Sequence, residues 1–156
     1  MWVVDTNILL YAADRSSPFH EVCHRSLERW RVGPAPMFLT WGICYEFLRV
    51  ATHPKVFPRP WSMPDALGFV GALQRSRGVQ MLMPTDRHAA VLAQTVAEMP
   101  ALQGNDAHDL HTAVLMREHG ISRICTRDAG FGRFAFLSAF DPTTGGPDGV
   151  SMSTKV

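Results

Sequence analysis

The sequence predicts an α/β fold: a parallel sheet with helices on both faces, which together make a three-layer α/β/α sandwich. Short apolar runs, such as residues 2–4, alternate along the chain with longer segments of helical periodicity. Alternation of this kind is typical of a parallel sheet. The first run is apolar at every position, as expected for a strand that is covered on both faces.

Each predicted element rests on a local pattern. Strands are predicted at residues 2–4, 37–39, 79–83 and 123–126, where apolar residues come in short runs. Helices are predicted at residues 18–31, 40–52, 63–77, 84–99 and 106–119, most of which show apolar residues at three- and four-residue spacing. Four prolines between residues 53 and 64 exclude a helix there, and Gly120 is expected to cap the last helix.

Length and composition suit a single domain. The 156 residues can bury a core, and we expect the domain to occupy residues 1–142 and residues 143–156 to form a disordered tail. A membrane span is not expected because no apolar run reaches about 18 residues, and the N-terminus lacks a basic segment, which favours a cytoplasmic location. The three cysteines have no metal-ligand spacing and are expected to be reduced, and the net charge of +1 indicates no particular partner.

Acidic residues follow two of the predicted strands. Asp5 comes directly after the first strand and Asp128 just past the last. Because the carboxyl ends of parallel strands meet at one edge of a sheet, both are expected where open α/β sheets bind ligands. A charge beside such a core is usually paired or bound to a metal. For Asp5 alone, a role as N-cap of the following helix is an equal alternative.

Two more acids lie in predicted helices. Glu46 belongs to a helix that is apolar on nearly every side, which is typical of a buried helix. Asp109 shares a helical face with the apolar Ala113. The alternatives are an ion pair of Glu46 with Arg49 and, for Asp109, a place in a capping box begun by Asp106.

Four segments of the chain contain one of these acids each: VVDTNILLYA (Asp5), YEFLRVATHPKVF (Glu46), HDLHTAVLMREHG (Asp109) and TRDAGFGRF (Asp128). In this order they resemble the PIN-domain nucleases, and most closely the VapC toxins of bacterial toxin–antitoxin pairs. The resemblance runs from about residue 2 to residue 142, so that only the tail lies outside it. It implies a PIN-like nuclease domain over residues 1–142.

The resemblance also implies an activity and its residues. The implied catalytic and metal-binding residues are Asp5, Glu46, Asp109 and Asp128, and the implied supporting residues are Asn7 and Thr126. The implied reaction is endonucleolytic hydrolysis of RNA with Mg²⁺ or Mn²⁺, and carboxylates without thiol or imidazole partners suit these hard cations. The implied partners are an RNA substrate, with tRNA and rRNA as candidates, a small cognate antitoxin and a second copy of the chain in a homodimer.

Two positions depart from the family pattern. Gly130 stands where many relatives have a second acid after Asp128, and Asp106 adds a carboxylate near Asp109. We expect Asp109 to be the functional acid of its helix and Asp106 to cap the helix N-terminus. Arginines outside the acidic cluster are candidates for holding flanking phosphates: Arg15, Arg49, Arg59, Arg127 and Arg133.

Three other functions match parts of the sequence. The segment HEVCH at residues 20–24 fits the zinc-protease pattern but lacks an evident third ligand. The segment VVDTN resembles the opening of haloacid dehalogenase phosphatases, although Asn7 stands where those enzymes have a second aspartate. The third alternative is a catalytically inactive PIN-like module that binds RNA or protein. The four acids argue against it, because a binding module has no need to crowd carboxylates against phosphate.

Overall fold

A single parallel sheet forms the centre of the protein. The computed structural model describes residues 1–57 and 59–144, and within them five strands pair in the order β3-β2-β1-β4-β5. The strands are β1 (Trp2–Val4), β2 (Met37–Thr40), β3 (Val79–Leu82), β4 (Arg123–Cys125) and β5 (Ser138–Phe140). All four pairings are parallel, which confirms the predicted fold class.

Helices connect the strands. They are α1 (Thr6–Ala13), α2 (His20–Trp30), α3 (Trp41–Ala51), α4 (Met63–Gln74), α5 (His88–Glu98) and α6 (Ala107–Glu118). Short 3₁₀ turns occur at Gly104–Asp106, Ala129–Arg133 and Pro142–Thr144. The helix α1 packs against α2 and α3, and α5 packs against α6. Among the described residues, none of the helices has the length and apolar character needed to cross a membrane.

The first strand is the middle of the sheet, and its position places the residue that follows it. Val3 and Val4 are fully buried, and Trp2 is nearly so, because side chains on both faces of β1 are covered. Val3 pairs with Phe38 of β2 on one side and with Ile124 of β4 on the other. The chain therefore leaves the centre of the sheet at Asp5.

Local sequence explains several element boundaries. Asp5 accepts a hydrogen bond from the Thr6 backbone N–H and caps α1, and Thr40 caps α3 in the same way through the Ile43 N–H. Gly120 has a φ of 65°, in the left-handed region that favours glycine, and this confirms its predicted capping role after α6. The predicted helix at 84–99 begins only at His88.

One strand has no counterpart in the predictions. The strand β5 is three residues long, and it leaves Ser138 and Ala139 exposed. Among the described strands it pairs with β4 alone. It therefore lacks the run of buried apolar residues by which the other strands are recognised. Thr143 and Thr144, at the start of the predicted tail, belong to the last 3₁₀ turn, and the remainder of the tail lies outside the described residues.

Candidate active site

The predicted acids Asp5 and Asp128 lie at the carboxyl ends of adjacent strands. Asp5 follows β1, and Thr126 and Asp128 follow β4, the neighbour of β1 in the sheet. The sheet pairing continues past the strand, because the Asp5 backbone N–H donates to the Cys125 carbonyl at 3.0 Å. The Asp5 residue is only 8% exposed. The structure thus brings a buried carboxylate to the edge of the sheet where the sequence predicts it.

Neutral donors surround the Asp5 carboxylate. Its Oδ1 accepts from the Thr6 backbone N–H at 2.7 Å, and its Oδ2 accepts from Asn7 Nδ2 at 2.7 Å and from the Thr126 hydroxyl at 2.6 Å. These bonds fix the orientation of the carboxylate but bring no positive charge. The carboxylate is therefore held in place without an ion-pair partner among them.

The electrostatic environment of Asp5 favours its protonated form. Burial raises the pKa of Asp5 from 3.8 to about 6, although the hydrogen bonds from Thr126 and Thr6 act in the opposite direction. The negative charges of Asp109 and Glu46 raise this pKa further. Three of the predicted acids are therefore close enough to repel one another.

Asn7 and Thr126, the predicted supporting residues, connect α1 to the turn after β4. Asn7 Nδ2 also donates to Thr126 Oγ1 at 2.9 Å, and Asn7 Oδ1 accepts from the Arg127 backbone N–H at 3.3 Å. Thr126 Oγ1 accepts in addition from the Asp128 backbone N–H at 2.9 Å. A single network of hydrogen bonds thus fixes Asp5 relative to the turn that carries Asp128.

Glu46 joins the cluster from α3 through a residue that the sequence analysis did not single out. Thr6 donates its hydroxyl hydrogen to Glu46 Oε2 at 2.8 Å. The alternative interpretation of Glu46 is also realised, since Arg49 Nη2 lies 3.7 Å from Oε1. The Arg49 side chain is 65% exposed, and such an exposed pair contributes little. The only signal in the sequence was the position of Thr6 directly after Asp5, which does not indicate a contact with Glu46.

Asp109 and Asp128 meet beside Gly130. Asp128 Oδ1 and Asp109 Oδ2 lie 3.0 and 3.3 Å from the point that a Cβ atom on Gly130 would occupy. Burial raises the pKa of Asp109, and so does the charge of Asp128, while Arg133 lowers it. The charges of Glu46 and Asp106 add to the rise. Asp109 is therefore part of the same group of mutually repelling carboxylates.

Asp106 is the N-cap residue of α6, as predicted, but the prediction that its side chain accepts a hydrogen bond from that helix is wrong. Its carboxylate instead accepts from the Gln103 backbone N–H at 2.9 Å and forms an ion pair with Arg133. These two contacts hold the pKa of Asp106 below its usual range. Arg133 also donates from Nε to the Gly130 carbonyl at 2.8 Å. Among the described residues, Asp106 thus has an ion-pair partner, Arg133, and Asp109 has none.

The absence of a side chain at Gly130 makes room for this arrangement. A Cβ there would lie 3.1 Å from Arg133 Nη2, so the guanidinium uses space that a larger residue would fill. At this position the chain thus has a glycine, and the guanidinium of Arg133 lies beside it.

The donor set fits a hard divalent cation. All four acids offer oxygen, and their mutual repulsion is the kind that a cation relieves. Within residues 1–57 and 59–144 no three Asp, Glu, His or Cys side chains are arranged to hold a metal by themselves. Mg²⁺ is usually bound through one or two carboxylates, several waters and substrate phosphates rather than by an all-protein cage. A site of this open kind therefore fits Mg²⁺ or Mn²⁺ better than zinc.

The HEVCH segment and Arg127, which the sequence analysis also singled out, have other contacts. His20 and His24 of the HEVCH segment stack on each other with ring centroids 5.3 Å apart, and the described part of the chain supplies no third ligand. Arg127 forms an ion pair with Asp141 at 3.0 Å, and its guanidinium carbon lies 3.5 Å from the centroid of the Phe19 ring. Its guanidinium is therefore engaged by groups of the protein itself.

Comparisons with known proteins agree with one another. Residues 2–137 match the sequence profile of the PIN domain. The chain is 30% identical over 141 residues to Ribonuclease VapC48 of Mycobacterium tuberculosis. This alignment covers 90% of the chain and 97% of the relative. It is 34% identical over 134 residues to Ribonuclease VapC37 of the same species. That alignment covers 86% of the chain and 92% of the relative.

Solved structures share the fold at lower sequence identity. VapC20 of Mycobacterium tuberculosis, described as a Sarcin-Ricin loop cleaving toxin, has a TM-score of 0.62 and 16% identity, and covers 88% of this chain and 97% of its own. VapBC2 of Rickettsia felis, bound to a DNA fragment from its promoter, has a TM-score of 0.63 and 13% identity, and covers 90% of this chain and 97% of its own.

Proposed function

This chain belongs to the PIN-domain family, and on that basis we propose that it is a VapC-type endoribonuclease, the toxin of a toxin–antitoxin pair, dependent on Mg²⁺ or Mn²⁺. The observation that carries the proposal is the group of four acids at the carboxyl edge of the sheet, centred on the buried Asp5. The raised pKa of Asp5 supports it, because a carboxylate that repels its neighbours without a cation suits a metal ligand.

The proposal assigns each residue a task. Asp5, Asp109 and Asp128, together with Glu46, would hold the metal, which when bound supplies a polarised water and neutralises the charge of the phosphate. Thr126 and Asn7 hold the Asp5 carboxylate in one orientation through their hydrogen bonds. Thr6 orients Glu46 toward the same cluster. The protein thus contributes the placement of charge, which is the main requirement of metal-assisted phosphodiester hydrolysis.

RNA is the proposed substrate, with single-stranded or looped regions of tRNA or rRNA as the candidates. Both similar chains from Mycobacterium tuberculosis are named ribonucleases, and the structural neighbour VapC20 is described as a Sarcin-Ricin loop cleaving toxin. The proposed partners are a small antitoxin, since structural neighbours include VapBC complexes, and a second copy of the chain. The proposed location is the cytoplasm.

Side-by-side cleavage assays test this proposal. The purified protein is incubated with labelled RNA hairpins and with duplex DNA, in Mg²⁺, in Mn²⁺ and in EDTA. We expect metal-dependent cutting of RNA in its loops and little cutting of the duplex, because the acids need access to a deformable backbone. Equal cutting of both nucleic acids would contradict the substrate assignment. Binding of RNA without any cutting would favour the inactive binding module.

A further inference from the structure

A cavity of about 360 Å³ lies at the end of α1 that is remote from Asp5. It is formed where the segment after α1 meets the proline-rich loop after α3. Its lining residues are Ala13, Asp14, Arg15, Ser16, Phe57, Arg59 and Trp61. A volume in this range is typical of a pocket for a small ligand or one part of a larger one.

Two arginines of this cavity are uncommitted. Arg15 and Arg59 are exposed, and neither forms an ion pair with any residue that the structure describes. The carboxylate in the cavity wall, Asp14, already accepts from the Ser16 backbone N–H at 2.9 Å and from its hydroxyl at 2.6 Å. Two guanidinium charges thus line the cavity with one carboxylate charge, and this net positive charge attracts an anion. Planar guanidinium groups bind phosphate with two parallel hydrogen bonds.

The aromatic wall of the cavity is rigid. Trp61 is partly exposed and makes edge-to-face contacts with Phe47, Phe57 and Phe69, with centroid separations of 6.1, 6.4 and 5.7 Å. Its backbone N–H donates to the Ala51 carbonyl at 2.9 Å. An indole held in this way loses little freedom when a planar ligand stacks on it. Aromatic rings beside cationic groups are the usual means by which proteins bind single-stranded nucleic acids.

The helix α1 connects the cavity to the acidic cluster. Asp5 caps its N-terminus, and Ala13 and Asp14 at its C-terminus belong to the cavity wall. Eight helical residues at 1.5 Å each span roughly 12 Å. A strand with bases stacked at roughly 3.4 Å intervals covers this distance with about three to four nucleotides. One RNA strand can therefore reach both places.

We propose that this cavity is a binding subsite for an unpaired nucleotide of the RNA strand whose scissile phosphate lies at the acidic cluster. Trp61 stacks on its base, and Arg15 and Arg59 bind the phosphates on either side of it. The inference rests on the proposed ribonuclease function, since it assumes that RNA is the ligand of the acidic cluster. RNA fits better than a protein partner, because two free cations beside a stacking surface match phosphates and a base.

Binding to a short fluorescein-labelled oligouridylate, measured by anisotropy in EDTA, tests the phosphate contacts without cleavage. The test variant is Arg15→Gln/Arg59→Gln, and the matched control is Arg25→Gln/Arg75→Gln. The control removes the same charge from exposed residues outside the cavity. We expect the test variant to bind at least tenfold more weakly than the control. The slope of log K against log[salt] should fall by about 1.4, the value for two phosphate contacts on a single strand.

A second measurement tests the stacking contact. A series of oligonucleotides, each with a single abasic position, is bound to the wild type and to Trp61→Leu, which keeps an apolar side chain against Phe47 and Phe69. We expect one abasic position to weaken binding by the wild type about tenfold and to have no effect on the variant. Circular dichroism of the variant checks that the fold is intact.

The outcomes separate this proposal from the ribonuclease function. Equal affinities and equal salt slopes for the two arginine double variants would overturn the subsite, and so would the same abasic profile for the wild type and Trp61→Leu. Loss of antitoxin binding with unchanged RNA binding would assign the cavity to a protein partner and also overturn the proposal. Because binding is measured in EDTA, failure of metal-dependent cleavage would contradict the proposed function and leave these binding results unchanged.

Discussion

The two ends of α6 carry acids in opposite electrostatic situations. At the N-terminal end, Asp109 faces the other acids of the cluster, and its pKa is raised by burial and by Asp128. At the C-terminal end, the Glu118 side chain is fully covered from solvent. Burial is the largest influence on the pKa of Glu118 and acts to raise it, but hydrogen bonds from Thr85 and His88 together outweigh burial and lower it.

The contrast separates a structural acid from a proposed metal ligand. Glu118 Oε1 accepts from the Thr85 backbone N–H at 3.1 Å and from its hydroxyl at 2.5 Å, and Oε2 lies 2.7 Å from His88 Nδ1. Its charge is satisfied by groups of the protein itself. Asp5 also accepts three hydrogen bonds, but its burial and the negative charges of Asp109 and Glu46 outweigh them and raise its pKa. A cation bound at the cluster would relieve this repulsion. Burial alone therefore does not identify the site; burial beside other carboxylates does.

The largest expected effect concerns activity at the two kinds of acid. Asp5→Asn should lower metal-dependent RNA cleavage by at least about 10²–10³-fold, because it removes a charge that the proposed metal and transition state require. Glu118→Gln makes the same chemical change at the satisfied acid and should leave cleavage close to the wild-type rate. Initial rates on a labelled RNA hairpin give both values. Cleavage by a folded Asp5→Asn protein at the wild-type rate would remove Asp5 from the mechanism.

The second prediction concerns how the stability of the metal-free protein depends on pH. The folded-state pKa of Asp5, about 6, exceeds its unfolded value of 3.8, so the folded state binds more protons between these pH values. The contribution of Asp5 to stability is therefore present below about pH 4 and is lost as the pH rises through about 6. A two-unit difference corresponds to about 3 kcal/mol.

Denaturant unfolding of the wild type and Asp5→Asn in EDTA, at several pH values, isolates this contribution. The free energy of unfolding of the wild type should fall relative to that of the variant across this window. A constant difference between the two proteins would mean that Asp5 is ionised in the folded state without strain. Asp5 would then resemble Glu118 rather than contrast with it.

The third prediction is the loss of stability at the satisfied acid. Glu118→Gln replaces one accepting oxygen by an amide group that cannot accept from Thr85 or His88, and leaves a buried donor or acceptor without a partner. We expect the free energy of unfolding to fall by about 1–3 kcal/mol at pH 7. Urea unfolding measures it. Unchanged stability would show that the contacts of Glu118 contribute nothing to the free energy of unfolding. Glu118 would then not be a structural acid, and the contrast with Asp109 would not hold.

The sequence was sufficient to predict the positions of Asp5 and Asp128, because strand ends in a parallel sheet meet at one edge whatever the details of packing. The contact between Thr6 and Glu46 could not be predicted, because it depends on how α1 and α3 pack across 40 positions of the chain. The ion pair of Asp106 with Arg133 is another contact between distant positions. A local capping pattern therefore suggested the wrong partner for Asp106.

The smallest expected effect distinguishes Asp106 from Asp109 at the N-terminal end of α6. Asp106 is paired with Arg133 at the surface and its side chain does not cap the helix, so Asp106→Ala should lower the melting temperature only slightly and leave most of the activity. Ser62→Ala is the matched control, because the Ser62 hydroxyl does cap α4 through the Asp65 N–H. Loss of that cap should lower the free energy of unfolding by about 1 kcal/mol, and so lower the melting temperature more than Asp106→Ala does.

Asp109→Asn, by contrast, should abolish cleavage with little change in melting temperature. If Asp106→Ala abolished cleavage and Asp109→Asn did not, the unpaired acid of α6 would not be the functional one, and the comparison between its two ends would fail.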